Sequence, residues 1–500
     1  MEIRVEQGDI ASQAVDAIVV NLFEGVEAPG GATGAVDKAL DGAISQVIKE
    51  GGCRGKDGTF TLIHTLGKLP TPRVVVAGLG KQDDFTVDKV RNLAANTARY
   101  LRRNRCKTAA TITHGAGIGG LDPQACAQAI AEGTLMGLYR FDRHKKPKED
   151  DVELEQLSLV EFDATRAEAV RHGVDRGAVL GEAVNFARDL ANEPGNKLTP
   201  TDLAERAQAM ASEVGLECEV FDQPWMEEQG MGALLSVAAG SQQPPKFIVL
   251  RYKGGGSSHL GFVGKGITFD TGGISIKPAA GMEHMKGDMS GAAAVIAAMG
   301  AIARLKPEID VTMAVPATEN MPGGNATKPG DVVTTMTGKT IEVINTDAEG
   351  RLILSDGLGY MGQSKPDFII DVATLTGAIS IALGDVAMGA MGNSDALYER
   401  VQRAAAAAGE KVWQLPMYDE YKDQIKSEVA DMKNTGGRNA GSITAAMLLR
   451  EFVDDTPWVH IDMAGVDIYD KVKGTTVKGA SGIPVRTLVH LAFVLANDPL

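Results

Sequence analysis

Two acidic residues and an arginine alternate along residues 345–352, which read Asn-Thr-Asp-Ala-Glu-Gly-Arg-Leu. Carboxylates as close as those of Asp347 and Glu349 repel each other unless a proton or a cation neutralises them. A divalent metal ion is the simplest neutralising group, since hard cations prefer oxygen ligands. The segment therefore predicts a metal site, and Arg351 lies two residues beyond the second acid.

A second group of charged residues lies upstream. Lys265, Asp270 and Lys277 lie in or beside glycine-rich stretches, and Asp288 precedes an alanine-rich stretch with the pattern of a helix. Taken singly, each has a plain explanation: Asp288 as a helix cap, Lys265 as a surface charge, and the two acids of 345–352 as partners of a helix N-terminus. Together and embedded in glycine they fit a site better, because glycine lets the backbone approach a ligand.

The four carboxylates of the two groups suffice to hold two divalent cations about 3.5–4 Å apart. None of the 8 histidines lies inside either group, and His284 is the nearest. This composition disfavours a helical His-Glu-x-x-His zinc protease. It predicts an oxygen-rich site, in which manganese or magnesium competes with zinc.

The elements that position these groups follow from hydrophobic periodicity. Residues 339–344 alternate like a strand and 352–361 have helical spacing, so the acidic segment joins a strand to a helix. Such junctions are where α/β proteins gather their ligands. Buried strands are predicted at 247–252, 261–264, 311–315, 368–373 and 459–463, with helices at 291–303, 443–452 and 485–496. This alternation predicts a mainly parallel central sheet covered by helices.

A chain of 500 residues is too long for one domain. We predict a smaller α/β domain at 1–150, a linker and connecting helix at 151–180, and a larger α/β domain at 181–500. A basic run followed by an acidic one at 143–155 marks the boundary, and the connecting helix should end near residue 192, before Pro194. The first domain is similar to macro domains, which bind ADP-ribose. Its glycine loop at 30–34 could cradle a phosphate, although a plain connecting loop is the default for so short a motif.

The overall composition restricts the partners and the compartment. The formal net charge of −15 disfavours a nucleic-acid or anionic-membrane surface. The 4 cysteines form no CxxC pair, and no signal peptide or membrane-spanning apolar run is visible. These features predict a protein of the reducing cytoplasm.

Residues 345–352 are similar to the signature of the leucyl aminopeptidase (cytosol aminopeptidase) family. The similarity runs from about residue 180 to the C-terminus in the family's order and is weak before it. It also includes segments 188–194, 264–273, 285–291, 319–326, 329–331, 371–377 and 458–465. The run at 479–486 departs from the family pattern at Pro484.

The resemblance implies that residues 181–500 form a catalytic domain with two divalent metal ions per subunit. These ions are manganese or zinc, with magnesium as a further option. Lys265 would bind as a neutral amine, which requires its pKa to fall from about 10.4. The implied metal ligands are Lys265, Asp270, Asp288, Asp347 and Glu349.

The resemblance also implies the mechanism of a metal-dependent aminopeptidase. A hydroxide bridging the metals attacks the peptide carbonyl, which the charged Lys277 faces. Arg351 holds a bicarbonate ion that carries the proton to the leaving amine. The substrate's free α-amino group coordinates one metal, so that only N-terminal residues, Leu and similar ones, are released from short peptides.

The resemblance also implies a pocket for the substrate side chain and an oligomeric assembly. Met285 is equally explained as a core methionine. Asp467 lies where the family can place an apolar pocket residue, so basic side chains could be tolerated. A cytoplasmic homohexamer with active sites facing an interior cavity is implied, which would admit only short peptides. The implied pocket residues are Met285, Thr374, Gly377 and Ala464.

Two other function classes remain. The first domain could make the chain a nucleotide-binding or ADP-ribose-binding protein, although fold alone does not establish a ligand. The chain could also be an architectural oligomer with vestigial catalysis. The second class is disfavoured because each expected ligand position carries a competent residue, and because the net charge of −15 disfavours DNA.

Overall fold

A computed structural model of the chain describes residues 1–146 and 151–499. It contains two compact units, one formed by Met1–Asn185 with Asp470–Val477 and the other by Phe186–Tyr469 with Lys478–Leu500. Each unit has its own sheet with helices, so the predicted two-domain α/β fold is confirmed. The predicted break after residue 150 adjoins residues 147–150, which lie outside the described residues.

The first unit is built on a six-stranded sheet. Its strands are β1 (Glu2–Gln7), β2 (Ala17–Leu22), β3 (Phe60–His64), β4 (Arg73–Gly78), β5 (Thr108–Ile112) and β6 (Gln156–Glu161). Its helices are α1 (Gly31–Ala39), α2 (Ala43–Lys49), α3 (Val87–Arg103), α4 (Pro123–Leu138) and α5 (Ala167–Asn192), the last continuing into the second unit, with 3-10 helices at Ile10–Ser12 and Gln82–Asp84.

The strand order of this sheet is β1-β6-β5-β2-β4-β3, and every pairing is parallel except that of β3 with β4. Helices α1 and α2 pack on one face, where Val36 and Ile44 join Ile18 and Val20. Helices α3 and α4 cover the other face. The strand β6 lies within the segment predicted as a linker, and it pairs with both β1 and β5.

The second unit has fourteen strands among the described residues. They are β7 (Glu217–Phe221), β8 (Lys246–Tyr252), β9 (His259–Gly264), β10 (Gly266–Asp270), β11 (Asp310–Asn320), β12 (Val332–Thr334), β13 (Thr340–Glu342), β14 (Phe368–Ala373), β15 (Met388–Gly392), β16 (Val412–Gln414), β17 (Met432–Lys433), β18 (Trp458–Asp462), β19 (Ile468–Tyr469) and β20 (Gly479–Ala480). The helices are α6 (Pro200–Val214), α7 (Gln223–Glu228), α8 (Gly232–Ala238), α9 (Ser290–Leu305), α10 (Gly350–Gln363), α11 (Gly377–Leu383), α12 (Asp395–Ala408), α13 (Gly441–Arg450) and α14 (Val485–Asn497), with 3-10 helices at Met282–Gly287 and Asp419–Ile425.

The main sheet of this unit has the order β16-β15-β18-β14-β9-β11-β8-β7, and β10 pairs with β11. Strands β9, β11, β14 and β18 are parallel, whereas β7, β8 and β15 supply antiparallel pairings. The mainly parallel sheet predicted from sequence is thus confirmed. Every residue of β14 is buried, as expected for a strand covered on both faces.

Helix α9 shows how the sheet fixes the site. Its alanine-rich sequence is buried from Ser290 to Ala303, because small side chains allow it to lie close against the strands. The amide of Ala292 donates to the carbonyl of Lys265 at 2.9 Å, and the amide of Lys265 donates to Val372 at 3.0 Å. The backbone of Lys265 is therefore held between a helix and a central strand.

Two local features go beyond what apolar spacing indicates. Residues 36–48 have helical apolar spacing, but the segment is divided into α1 and α2, because Asp41 and Gly42 adopt left-handed backbone angles, with φ of 54° and 82°. The strand before the acidic segment is β13, which belongs to a small sheet with β12 and β17 rather than to the main sheet. A three-residue strand with one buried position cannot serve as a central strand.

One helical segment of the second unit is strongly apolar. Among the described residues, Met282–Leu305 has the length and hydropathy of a membrane span, contrary to the prediction that no such run exists. However, 89% of its apolar window is buried inside the protein. This burial is typical of a core helix.

Candidate metal centre and active site

The charged residues singled out in the sequence lie at the ends of elements in the second unit. Lys265 connects β9 to β10, and Asp270 is the last residue of β10. Asp288 follows a 3-10 helix and leads into α9. Glu349 is the N-cap of α10, although its side chain makes no capping hydrogen bond. These element ends bring together residues that are 84 positions apart in the chain.

Three carboxylates converge on one point. One oxygen each from Asp270, Asp347 and Glu349 lies within 4.8 Å of the other two. Asp270 and Glu349 are each 2% exposed, so water cannot screen their mutual repulsion well. Asp288 joins this group through Lys265, whose Nζ lies 2.8 Å from Asp288 Oδ2 and 2.9 Å from Glu349 Oε1.

Lys265 is buried and fully engaged. Its ammonium also donates to the carbonyl of Thr374 at 3.1 Å. Burial acts to lower the pKa of Lys265, but the nearby charges of Asp288, Glu349 and Asp270 raise that pKa above its ordinary value. This shift is opposite in direction to the lowered pKa that a neutral amine ligand at Lys265 would require.

Lys277 approaches the same carboxylates from a more open position. Its Nζ lies 2.7 Å from Asp270 Oδ2 and 2.5 Å from Asp347 Oδ1. Its side chain is 21% exposed, compared with 4% for that of Lys265. Burial acts to lower the pKa of Lys277, and the charge of Asp270 raises it above its ordinary value, so this side chain remains cationic.

The carboxylates themselves favour a cation in the site. Burial raises the pKa values of Asp288, Glu349 and Asp347, and neighbouring carboxylates add to the effect in each case. Within the described part of the chain, Asp288 Oδ2, Asp347 Oδ1 and Glu349 Oε2 are buried without hydrogen-bond partners. The first two nevertheless contact lysine ammonium groups, Asp288 Oδ2 at 2.8 Å from Lys265 and Asp347 Oδ1 at 2.5 Å from Lys277. Buried acceptor oxygens of this kind fit divalent metal ligands.

Two residues support the acids: Asn320, which was not singled out in the sequence, and Thr374, which the resemblance placed only in the substrate pocket. Asn320 ends β11 and donates through Nδ2 to Asp270 Oδ1 at 2.8 Å and to the carbonyl of Thr346 at 3.0 Å. It thus ties the strand that carries Asp270 to the acidic segment. The hydroxyl of Thr374 donates to Asp288 Oδ1 at 2.7 Å. The only signal for Asn320 in the sequence was its place in the segment 319–326.

Glycine is required where the segments approach each other. A Cβ on Gly350 would lie 2.8 Å from the Nζ of Lys265, and one on Gly272 would lie 2.7 Å from Asp347 Oδ1. Gly272 also has a left-handed φ of 87°. Any side chain at these two positions would displace a charged group of the site.

Arg351 lies on the first turn of α10 and is 7% exposed. Burial lowers the pKa of Arg351 to about 10. Across the described residues, its Nε and Nη1 are buried without hydrogen-bond partners. A buried guanidinium with unused donors is suited to binding an anion.

A polar network unnoticed in the sequence lies at the end of β18. The carboxylate of Asp462 accepts the hydroxyl of Thr376 at 2.6 Å and the amide of Leu375 at 3.0 Å. His460 Nδ1 lies 2.6 Å from Asp371 Oδ1. These contacts fix the loop after β14 that carries Thr374. No spacing rule links residues from strands so far apart in the chain.

Of the residues implied for the substrate side chain, Thr374 contacts the centre directly, through Asp288 and Lys265. Met285 is half-buried on the 3-10 helix that precedes Asp288, and Gly377 is exposed at the start of α11. The amide of Ala464 donates to Asp462 at 3.3 Å. Asp467 is close as well, because its Oδ2 lies 4.0 Å from the position of a Cβ on Gly287.

The plain explanations considered for single residues fail in this arrangement. Lys265 is 3% exposed and is not a surface charge. Met289, rather than Asp288, is the N-cap of α9, and neither it nor Glu349 makes a side-chain capping bond. The acids face each other and the lysines rather than the ends of helices.

Comparison with known proteins agrees with this geometry. A family model described as "Cytosol aminopeptidase family, catalytic domain" matches residues 185–489, and its N-terminal counterpart matches residues 19–148. The chain belongs to the cytosol aminopeptidase family. It is therefore an aminopeptidase, a hydrolase of the peptidase class, and the resemblance noted in its sequence is confirmed.

Relatives match over nearly the whole chain. A probable cytosol aminopeptidase of Alkaliphilus metalliredigens is 44% identical over 496 residues, covering 98% of this chain and 99% of that protein. One from Solibacter usitatus is 46% identical over 496 residues, covering 99% of each. Full-length matches of this kind indicate that both domains are shared with these relatives.

Solved structures show the same fold. A mutant of tomato leucine aminopeptidase is 33% identical, with a TM-score of 0.87 over 99% of this chain and 96% of that one. The bottromycin maturation enzyme BotP, solved in complex with Mn, is 33% identical with a TM-score of 0.86, covering 97% of this chain and 100% of that one. The acidic cluster of the present chain thus fits divalent metals.

Proposed function

We propose that this aminopeptidase releases N-terminal residues, leucine and similar ones, from short peptides with the help of two divalent metal ions. The observation that supports this most strongly is the convergence of Asp270, Asp347 and Glu349 within 4.8 Å. With Asp288 they form a largely buried anionic site, in which Glu349 Oε2 has no hydrogen-bond partner. We further propose that manganese or zinc is the native metal, with magnesium as an alternative.

The five proposed ligands are the four carboxylates and Lys265. Bound metal ions would supply Lewis acidity, polarising the substrate carbonyl and lowering the pKa of water. The chain's part is to hold its ligands rigidly, through the backbone bonds of Lys265 and the amide of Asn320. Rigid ligands reduce the reorganisation needed during the reaction.

Lys277 is proposed to stabilise the oxyanion that develops on the substrate carbonyl. Its charge is secured by Asp270 and Asp347. Its partial exposure leaves it accessible to a substrate, unlike the enclosed Lys265. A fixed positive charge at a developing oxyanion contributes a few kcal/mol, about 10²–10³ in rate.

Arg351 is proposed to hold bicarbonate, which would relay the proton to the leaving amine. The buried and unused Nε and Nη1 atoms support an anion at this position. We expect Arg351→Met to abolish the stimulation of turnover by bicarbonate in carbonate-depleted buffer. The measurement is kcat as a function of bicarbonate concentration in both proteins. If bicarbonate stimulated the variant and the parent equally, Arg351 would not be the bicarbonate-binding residue.

Chelation tests the proposed metal dependence. We expect exhaustive chelation to abolish hydrolysis of leucine anilides, because the carboxylates then lack their divalent counter-ions, and added manganese or zinc to restore it. The measurement is initial rate against metal content per chain. Chelator already saturated with metal serves as the control. Undiminished activity in protein shown to be metal-free would rule out the mechanism.

Asp467 is proposed to let the pocket accept basic side chains. Its carboxylate lies beside Gly287, next to the ligand Asp288, and accepts the amide of Gly465 at 3.1 Å. We expect Asp467→Ala to lower kcat/KM for arginine substrates about 10-fold relative to leucine substrates, as for loss of a partly buried charge contact. The exposed Asp470 supplies a control, Asp470→Ala. An unchanged Arg/Leu ratio in Asp467→Ala would refute the idea.

Assembly, location and exact domain limits remain predictions. We propose a cytoplasmic homohexamer, with a macro-like domain at 1–150 and a catalytic domain at 181–500. All four cysteines are free thiols, which suits a reducing compartment. Light scattering on the purified enzyme will test the assembly, and a monomeric mass would refute the hexamer.

A further inference from the structure

A second cleft, separate from the metal centre, lies wholly in the first unit. Its cavity volume is about 220 Å³, not counting its open mouth. Its walls include Asn21 to Phe23 at the end of β2, Ile112 and Thr113 at the end of β5, and Val160 to Phe162 at the end of β6. These strands are parallel, so the cleft lies at the carboxyl edge of the sheet.

The sheet topology explains why a crevice forms there. Strands β2 and β5 are neighbours. The chain leaves β2 towards α1 on one face of the sheet, and it leaves β5 towards α4 on the other. The two connections diverge and leave an opening between them. In open α/β sheets, such a switch point is where ligands bind.

Glycines from two loops form one part of the cleft, its floor. It is lined by Gly30 and Gly31 from one loop and by Gly115, Gly117 and Gly119 from the other. Gly30 is the N-cap of α1, and no side chain caps that helix. The amides of its first turn therefore face a glycine-lined space, an arrangement that accommodates phosphate oxygens.

A polar side chain is held in position inside this cleft. Asn21 Nδ2 lies 2.9 Å from Nδ1 of His114, and His114 Nε2 lies 2.9 Å from the hydroxyl of Thr111. Burial lowers the pKa of His114 to about 4, so the ring is neutral and its hydrogen bonds persist at neutral pH. The second hydrogen-bonding atom of the Asn21 amide is thereby held in a constant orientation for a ligand.

The walls and rim carry both charge and apolar surface. Glu161 lines the cleft, but its carboxylate accepts the amide of Asp163 and the hydroxyl of Thr113. Arg166 contacts Asp163 and donates to the carbonyl of Ala116. Phe162 is 82% exposed, although large aromatic side chains are usually covered. An exposed ring at the rim of a phosphate-sized recess offers a stacking surface for a flat base.

We propose that this cleft binds a nucleoside diphosphate, with the phosphates against the glycine-lined floor and the base against Phe162. The site is independent of peptide hydrolysis. No group of the metal centre lines it.

Calorimetry of the metal-loaded enzyme with ADP tests the proposal. We expect one ADP per chain, with adenosine and inorganic phosphate each binding more weakly than ADP because each uses half of the cleft. Phe162→Ala should weaken ADP about 10-fold, the usual cost of a lost base–aromatic stack. Leu66→Ala removes another exposed apolar side chain of the same unit, at 89% exposure, and should change nothing.

Two variants of opposite charge at Gly117 test where the ligand binds. This glycine is exposed, lines the cleft, and has no atom within 4 Å of an added Cβ. Gly117→Glu should abolish ADP binding by repelling phosphate, whereas Gly117→Lys should retain it. Both variants should hydrolyse leucine anilides at the parental rate.

Three results would overturn the proposal. One is the absence of heat with ADP at millimolar concentration. Another is equal ADP affinity in Gly117→Glu and Gly117→Lys. The third is binding that persists in Gly117→Glu and disappears on chelation, since that would place the nucleotide at the metal centre.

Discussion

Glu349→Gln is expected to reduce kcat/KM for leucine anilides by more than about 100-fold, the upper range for losing even an indirect contact to a metal. The substitution keeps the shape of the side chain and removes one of three converging charges. The neutral amide cannot replace the carboxylate as a strong metal ligand. Metal content per chain should fall together with activity, measured by elemental analysis of the same samples.

The same substitution should leave the metal-free protein at least as heat-stable as the parent. Burial and the charge of Asp270 raise the pKa of Glu349, so its ionised form is disfavoured in the folded chain. A neutral residue relieves that repulsion, although Lys265 loses its contact at 2.9 Å. High stability with lost activity is the pattern of a residue retained for function.

The matched control for this prediction is Glu342→Gln on β13. Glu342 accepts a hydrogen bond from Ser427 at 2.5 Å and lies outside the metal cluster. Its removal should leave metal content and kcat/KM close to parental values. If Glu349→Gln kept full metal content and activity, the carboxylate cluster would not be the catalytic centre.

The charged members of the site could be predicted from sequence because their neighbours constrain them. Asp347 and Glu349 are two residues apart in a segment with glycine next to it, and Asp270 precedes two glycines across a single threonine. Spacing of this kind indicates a ligand site before any fold is known. The confirmed strands and helices, such as β14 and α9, likewise follow from local apolar runs.

The supporting residues could not be predicted in this way. Asn320 reaches Asp270 across 50 positions, and Thr374 reaches Asp288 across 86. Such contacts exist only after β10 and β11 pair and β14 enters the sheet. A lone asparagine or threonine in a loop carries no periodic signal, so its role emerges from tertiary structure alone.

The break between α1 and α2 has a different cause. Apolar spacing continues through residues 36–48, but Asp37 accepts the amides of Ile44 and Ser45 at 2.7 and 3.0 Å. This side-chain bonding stabilises the start of a new helix and competes with continuing the old one. The spacing of apolar residues reflects which positions are buried, and it carries no information about hydrogen bonds from a side chain to the start of a helix.

The two lysines of the site together face four carboxylates, three of them buried and Asp347 partly exposed. Lys265 is enclosed and contacts Asp288 and Glu349, whereas Lys277 is partly exposed and contacts Asp270 and Asp347. Two cations cannot neutralise four anions, so the cluster retains a deficit of positive charge that divalent ions would supply. Lys277, the more exposed of the two lysines, is then the one whose positive charge a substrate can contact.

Lys277→Ala is therefore expected to lower kcat about 10²–10³-fold, as for loss of an oxyanion-stabilising group. Metal content should not fall, because the five proposed ligands remain and a competing cation has been removed. Lys277→Arg keeps the charge and should recover part of the rate. Steady-state kinetics and elemental analysis on each variant provide the measurements.

Lys328→Ala is the matched control, since Lys328 is an exposed lysine whose ion pair with Asp331 lies at the surface. It should behave as the parent. Loss of metal from Lys277→Ala would mean that this ammonium supports the ligands instead of the reaction. Retained metal with a low kcat and an unchanged KM would place its effect in the transition state, because a group that binds the ground state equally well changes KM instead.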